Sequence, residues 1–326
     1  MPCRRIQRFG WHCMGKVMLS GGILRVLVIA MVLSAACVVL TGCTTKSEAQ
    51  SEAGSAAVRG EERVRFASGG QELEGVVDTP APGMSNGWGV VLIGGGLGND
   101  LNWSVPGLVA VNGAWVQMTI NREAHADAPP LARALADEGF TVLRWSTIAV
   151  DDPLRDQWPV RATPRSLGEL MQQSRDAIAT LRRVDGVRGD QIIVIGHSLG
   201  AARACTLAAE DPGIRALILL SPAYFTHDSK PPMRFAEAKM RLGEDVVRER
   251  GLACLAVFGA LDTSKPVNEV SVRALVGTKG FEDFEVRTFD GLGHALGKQE
   301  GARVGPIAPE VVGLVAEWAR SVTRGR

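Results

Sequence analysis

From about residue 88 onward, short runs of consecutive apolar residues alternate with stretches in which apolar positions recur every three or four residues. The runs at 90–93, 192–195, 214–220 and 252–258 each have glycine on at least one side, as expected of strands buried on both faces of a parallel sheet. Residues 140–145 and 284–288 read as further strands. Residues 129–138, 198–210, 267–276 and 309–322 read as helices. Another helix is expected with Thr163 as its cap and Pro164 at its first position; its apolar face is Leu167, Leu170, Met171, Ala177, Ile178 and Leu181. Alternating runs near 62–66 and 72–77 predict an antiparallel hairpin turning at Gly69-Gly70. A second, inserted hairpin is expected within 107–120, where Asn112-Gly113 is flanked by apolar alternation. Repeated strand–helix alternation predicts an α/β fold with right-handed crossovers and a mostly parallel central sheet, helices lying on both faces. The excursion at 223–251 contains Tyr224, Phe225, Met233 and Phe235 and reads as a small cap.

The N-terminal region has a different pattern. Arg4, Arg5, Arg8, Lys16 and Arg25 precede the uncharged residues 26–40, and no acid occurs before residue 43. This is the basic-then-apolar pattern of an export signal. The run ends in Leu40-Thr41-Gly42-Cys43, which resembles the bacterial lipobox. The resemblance implies a signal peptide over 1–42, lipidation of Cys43 and a domain held at a membrane outside the cytoplasm. An uncleaved anchor is the alternative, since about 20 uncharged residues suffice to span a bilayer; Met14 or Met18 are alternative starts. Residues 43–61 are polar and aperiodic and read as a flexible tether. The domain then occupies 62–326.

Charge narrows the partners. The whole chain carries +1; taking the five leader cations from its 36 basic residues leaves 31 against 35 acidic ones. No basic stripe runs along the domain, which argues against a nucleic-acid partner. Hydrophobic residues make up 46% of the chain and charged residues 22%, enough for a packed core. Only Cys205 and Cys254 of the six cysteines fall in the domain; they read as two buried thiols, with a disulfide as the alternative.

The chemistry-bearing segment is Ile192 to Ala202: an apolar strand, then Gly196-His197-Ser198-Leu199-Gly200, then a helix rich in small residues. A serine between strand and helix must turn sharply to raise its hydroxyl above the sheet, and side chains two positions either side would collide with the neighbouring backbone. His197 is adjacent to the serine in sequence, so its ring should point away from the hydroxyl and serve in packing.

With this motif the chain resembles the α/β-hydrolase family from about residue 62 to its end. The resemblance implies an acid after a late strand and a base after the last one. The acid is expected at Asp262, in Gly259-Ala260-Leu261-Asp262-Thr263-Ser264-Lys265-Pro266, with Asp290 and Asp283 as weaker rivals. The base is expected at His294, in Gly291-Leu292-Gly293-His294. Of the other histidines, His12 lies in the leader, His227 in the excursion, and His125 before the first crossover helix, where it lines the site or the surface. Acyl transfer needs two backbone N–H donors for the oxyanion. Leu199 would supply one and Gly96 the other, with Leu97 as alternative. Relatives often have His-Gly where this chain has Gly94-Gly95.

The glycines at 94–98 fit neither a phosphate loop, which needs Gly-Lys-Ser/Thr, nor a dinucleotide fingerprint, which would open a helix. Relatives often carry Asp and Arg-Gly where Arg144-Trp145-Ser146-Thr147 stands; Trp145 and Trp103 would wall an acyl pocket or pack the core. No metal or cofactor is expected, as no HExxH or paired CxxC occurs. The implied activity is serine hydrolysis of a carboxylic ester, thioester or amide, on a small-molecule or lipid-like acyl substrate. An acyltransferase on the same residues and a non-catalytic surface-binding lipoprotein are the rivals.

Overall fold

The computed structural model describes residues 60–96, 99–104, 108–111, 114–117, 126–153, 155, 166–222, 250–263, 284–300 and 303–324. They all belong to one unit, Gly54–Arg326. The expected leader, Cys43, residues 44–59 of the tether, residues 223–249 of the cap, and helix 267–276 lie outside the described residues, as do His12, His125, His227, Asp283 and Leu97. Gly60 and Glu61, expected in the tether, instead belong to the first strand, so the domain begins two residues earlier than the sequence suggests. Among the described residues no helix is long and apolar enough to cross a membrane.

Strands β1 (Gly60–Ser68) and β2 (Gln71–Thr79) form the expected hairpin, with Ser68 opposite Gln71 and both turn glycines at positive φ. The next strands are β3 (Gly89–Ile93), then β4 (Leu108–Val111) and β5 (Ala114–Gln117), which pair antiparallel as a separate two-stranded sheet. Pairing of Val111 with Ala114 leaves two residues for the turn, as Asn112-Gly113 implied. Helix α1 (Ala128–Asp137) leads to β6 (Thr141–Ala149), which ends four residues beyond the end that the sequence suggests. Then come α2 (Leu167–Leu181), β7 (Ile192–His197), α3 (Leu199–Glu210), β8 (Ile214–Leu220), β9 (Ala253–Gly259), β10 (Phe284–Phe289), the hairpin strands β11 (Gly297–Glu300) and β12 (Arg303–Ile307), and α4 (Pro309–Arg324).

The central sheet has the order β1-β2-β6-β3-β7-β8-β9-β10. Strands β6, β3, β7, β8, β9 and β10 run parallel, and β2 meets β6 antiparallel. From β3 the chain crosses one way to β6 and then returns to the other side at β7. Strand order therefore reverses around β3, and such reversals open a crevice at the strands' C-terminal ends. This is the α/β-hydrolase fold.

Every second residue of a strand faces the same side, and the core divides on that period. Val91, Ile93, Ile192, Val194, Leu217, Leu219, Cys254 and Phe258 pack under α2 and α3. Val90, Leu92, Ile193, Ile195, Ile218, Leu220, Leu255 and Val257 pack under α1 and α4. Burying one such aliphatic side chain contributes about 1.5–3 kcal/mol, so the four central strands are anchored from above and below. Cys205 and Cys254 are free, buried thiols, and burial raises both above the ordinary thiol value.

Helix α2 starts later than expected. Thr163 and Pro164 fall outside the described residues, and the cap is Ser166. The Ser166 hydroxyl accepts from the Glu169 amide at 3.2 Å, and the Ser166 amide donates to Glu169 Oε2 at 2.7 Å. This reciprocal box satisfies two donors that a helix end otherwise leaves open.

Both sheet edges carry charge. On β1, Glu61, Glu62, Arg63 and Arg65 are exposed, with Arg63 paired to Glu74 and Arg65 to Glu72. On β10, Arg287 pairs with Glu285.

Candidate active site

Three loops at the C-terminal ends of β7, β9 and β10 bring the expected residues together. Ser198 follows β7 directly and holds φ +53°, ψ −119°, outside the ordinary regions for a side chain with a Cβ. Its amide is held by the Leu220 carbonyl at 2.9 Å and its carbonyl by the Ala201 amide at 3.0 Å. The turn works because both flanking glycines are in van der Waals contact with backbone. A Cβ on Gly196 would stand 2.4 Å from the Gly200 carbonyl oxygen, and one on Gly200 would stand 2.2 Å from that of Ile93.

His294 Nε2 lies 2.9 Å from Ser198 Oγ, and His294 Nδ1 lies 2.7 Å from Asp262 Oδ2. A carboxylate only accepts, so Nδ1 carries the proton and Nε2 is left to accept from the serine hydroxyl. Asp262 is 5% exposed, whereas the imidazole side chain is 41% exposed. One end of the chain of hydrogen bonds is thus shielded and the other open to solvent. Asp290, its rival, is an exposed loop residue.

The acid and base loops are laced by backbone. Ala260 N–H donates to Phe289 at 2.8 Å and Leu261 N–H to Leu292 at 2.9 Å. Gly259 permits this approach, since a Cβ there would sit 2.4 Å from the carbonyl oxygens of both Leu292 and Gly293. The β11–β12 hairpin, which the sequence pattern does not reveal, braces the base loop from behind. Gly293 N–H donates to Gly297 at 3.1 Å, Gln299 N–H to Gly291 at 3.0 Å, and Ala308 N–H to Leu296 at 2.8 Å.

His197 does more than pack. Its Nε2 donates to the His294 carbonyl at 3.0 Å, its ring stacks on Trp103 with centroids 6.2 Å apart, and it tilts against the His294 ring at 5.3 Å. The nucleophile turn therefore holds the base loop directly. His197→Phe keeps an aromatic ring at this position and removes the bond to the His294 carbonyl. It is expected to lower kcat by about tenfold to a hundredfold with little change in KM, because a base displaced by an ångström loses alignment. Steady-state kinetics on an ester substrate measure this, and an unchanged kcat would assign the ring to packing alone.

Beyond β3, Gly95 lies against the nucleophile: a Cβ there would be 2.9 Å from Ser198 Cβ and 3.0 Å from His197 Nδ1. Gly96 follows at φ +67°, and Leu199 occupies the first turn of α3, where amides lack intrahelical acceptors. Of the two expected oxyanion donors, Leu199 directly follows Ser198, and Gly96 directly follows Gly95, the residue that lies against the serine. Trp145 packs in the core with Phe66, Leu73 and Met171, whereas Trp103 is buried beside His197. Among the described residues, the four non-glycine residues at positive φ are Trp103, Ser198, Ser221 and Leu296, all in segments bordering this site. Strained backbone of this kind persists where surrounding structure over-determines it. No cluster of three or more His, Cys, Asp or Glu side chains suited to a metal occurs among the described residues.

Residues 126–253 match the Hydrolase_4 family model, described as serine aminopeptidase, S33. Solved structures of similar fold include Est1E from Butyrivibrio proteoclasticus, at 16% identity and TM-score 0.52, aligned over 81% of this chain and 99% of that one. Dienelactone hydrolase from Anabaena variabilis is similar at 17% identity and TM-score 0.51, over 80% and 96% of the two chains. The esterase domain of a Rhodothermus marinus protein is similar at 16% identity and TM-score 0.50, over 80% and 99%. No curated protein matches the chain by sequence.

Proposed function

We propose that this chain, whose fold and family match support a hydrolase, cleaves carboxylic esters through an acyl-enzyme on Ser198. The reading is carried by one observation, the unbroken hydrogen-bond chain from Ser198 through His294 to Asp262 at 2.9 and 2.7 Å. In the first step Ser198 Oγ bonds to the acyl carbon while its proton passes to His294 Nε2. The carbonyl oxygen becomes an oxyanion, which the Leu199 and Gly96 amides stabilise. The imidazolium, oriented and stabilised by Asp262, then gives its proton to the departing alcohol. Water repeats the sequence in reverse. It loses a proton to Nε2, bonds to the acyl carbon and releases the acid, and the proton returns to Ser198. The solvent-exposed face of the imidazole gives water access in this second half.

Thioesters and amides present the same carbonyl and are secondary substrates in this reading. The substrate is a small-molecule or lipid-like acyl compound. Lipid on Cys43 would hold the enzyme at an envelope membrane, with the residues up to 59 as its tether, since Gly60 already pairs with Thr79. The test is product analysis of purified protein with nitrophenyl esters of increasing chain length, in water alone and with added acceptor alcohols. The expected result is free acid throughout. New esters formed from the added alcohols would identify an acyltransferase, and no turnover or fluorophosphonate labelling would favour a non-catalytic binding protein.

A further inference from the structure

Helix α3 carries an arginine where its neighbours are small and apolar, and the side chain is turned inward. Arg203 is 1% exposed. Its Nη2 donates to the Gly94 carbonyl, and its Nη1 reaches Ser174 Oγ on α2 at 3.4 Å. Its Nε has no partner among the described residues, and no carboxylate among them pairs with the guanidinium. Burial pushes it down to about 9, so it is still a cation at neutral pH. A buried charge without a counter-ion opposes folding, and such a group calls for a functional explanation.

Its bond supplies one. Gly94 is the first residue beyond β3, and Gly95 lies against Ser198 and His197. In a trans peptide the C=O of Gly94 and the N–H of Gly95 point in opposite directions within one plane. A cation holding that carbonyl under α3 fixes the plane of the Gly94–Gly95 peptide and with it the position from which the next peptide, carrying the Gly96 amide, leaves. It also polarises the peptide, and hydrogen bonds in series strengthen one another. The loop is glycine at 94, 95 and 96, residues with unusual conformational freedom, so an external restraint is needed to hold one geometry. The anchor comes from α3, the helix that Ser198 opens, so nucleophile and oxyanion loop share one support.

We propose that Arg203 is a positioning residue that clamps the Gly94–Gly96 loop in its oxyanion-binding geometry. The proposal rests on the esterase reading above. It is tested with Arg203→Met and Arg203→Lys, by kinetics on a short nitrophenyl ester, thermal unfolding, and hydrogen exchange of the peptide spanning residues 90–96. Arg203→Met should lower kcat by about tenfold to a hundredfold with KM nearly unchanged. Its Tm should be unchanged or higher, and exchange at 94–96 faster. Arg203→Lys retains a cation able to reach the carbonyl and should recover part of kcat. An unchanged kcat in Arg203→Met, or a loss that follows a fall in Tm without rescue by lysine, would overturn the clamp. Should Arg203→Met fail to fold, Arg203→Lys and Arg203→Gln decide by the same kinetic and exchange readings. Wild-type protein without ester turnover would sink the esterase reading instead. Loop exchange then decides the clamp independently, and equal exchange in wild type and variant would end it.

Discussion

Ser198→Ala is expected to abolish fluorophosphonate labelling and to lower kcat by about a thousandfold or more, with Tm close to wild type. Stability should hold because alanine keeps the Cβ and the same strained φ of +53°, so the backbone conflict is neither relieved nor worsened. What disappears is the oxygen that bonds to the acyl carbon and the proton that His294 Nε2 collects 2.9 Å away. Asp262→Asn should approach the same loss by another route. An amide can present N–H to Nδ1, which favours the tautomer with the proton on Nε2 and removes the acceptor from the serine; in a related triad this costs about 10⁴ in kcat. The double variant Ser198→Ala/His294→Ala should be little worse than either single one, since the residues act as a unit. Wild-type turnover in Ser198→Ala would remove the mechanism entirely.

Arg144→Leu is expected to destabilise the protein by about 3–5 kcal/mol, read from denaturant unfolding. Arg144 is 4% exposed and reaches four partners on three segments. Nε bonds Asp78 Oδ2 on β2 at 3.1 Å and Nη2 bonds Glu61 Oε1 on β1 at 2.9 Å. Nη1 bonds the Leu101 carbonyl and Asn102 Oδ1 at 3.4 Å each. Removing it strands the Asp78 carboxylate, only 2% exposed, beside leucine. Burial already raises the Asp78 carboxyl above its ordinary value, against the opposing pull of Arg144. Loss of Arg144 moves it further up. A group raised in the folded state contributes its stability below its unfolded value and loses it as pH climbs through the folded one. The deficit of the variant relative to wild type should therefore be largest at neutral and alkaline pH and shrink on acidification. Asp78→Asn in the Arg144→Leu background should restore much of the loss. An equal deficit at every pH would mean that packing, not the stranded charge, is responsible.

The sequence displays the parts of the molecule whose stability is local or periodic. Strands β3, β7, β8 and β9 stand out because burial on both faces leaves almost no polar positions, Arg215 at the start of β8 and His197 at the end of β7 being the exceptions, and glycines mark their ends. Ser198 is visible because the sharp turn demands Gly196 and Gly200, and the close contacts at both glycines are what that demand looks like in space. Strands β11 and β12 are hidden: Gly-Lys-Gln-Glu has no apolar alternation, and the pair arises from bonds to the base loop and from the Ile307 amide to Asp127 Oδ1 at 2.9 Å. The start of α2 was legible as Ser166-x-x-Glu169, a stronger signal than Thr163-Pro164. Arg203 was not legible, because a single cation on a helix ordinarily faces water, and only the burial of almost the whole of α3 reverses that expectation. The sequence suggests only packing for His197, because its bond to the His294 carbonyl depends on a loop 97 residues distant.

Among the described residues the central sheet is open at both sides, since β1 and β10 each have a single neighbour. An open side offers unpaired N–H and C=O groups to any extended segment nearby, including those of another copy. If the protein is tethered through Cys43 as proposed, copies would meet side by side at high local density, the condition in which strand addition competes with remaining separate. Charged edges oppose such addition, since pairing would strip water from Glu61, Glu62, Arg63 and Arg65 on β1 and from Arg287 on β10, so dispersal depends on residues remote from the chemistry.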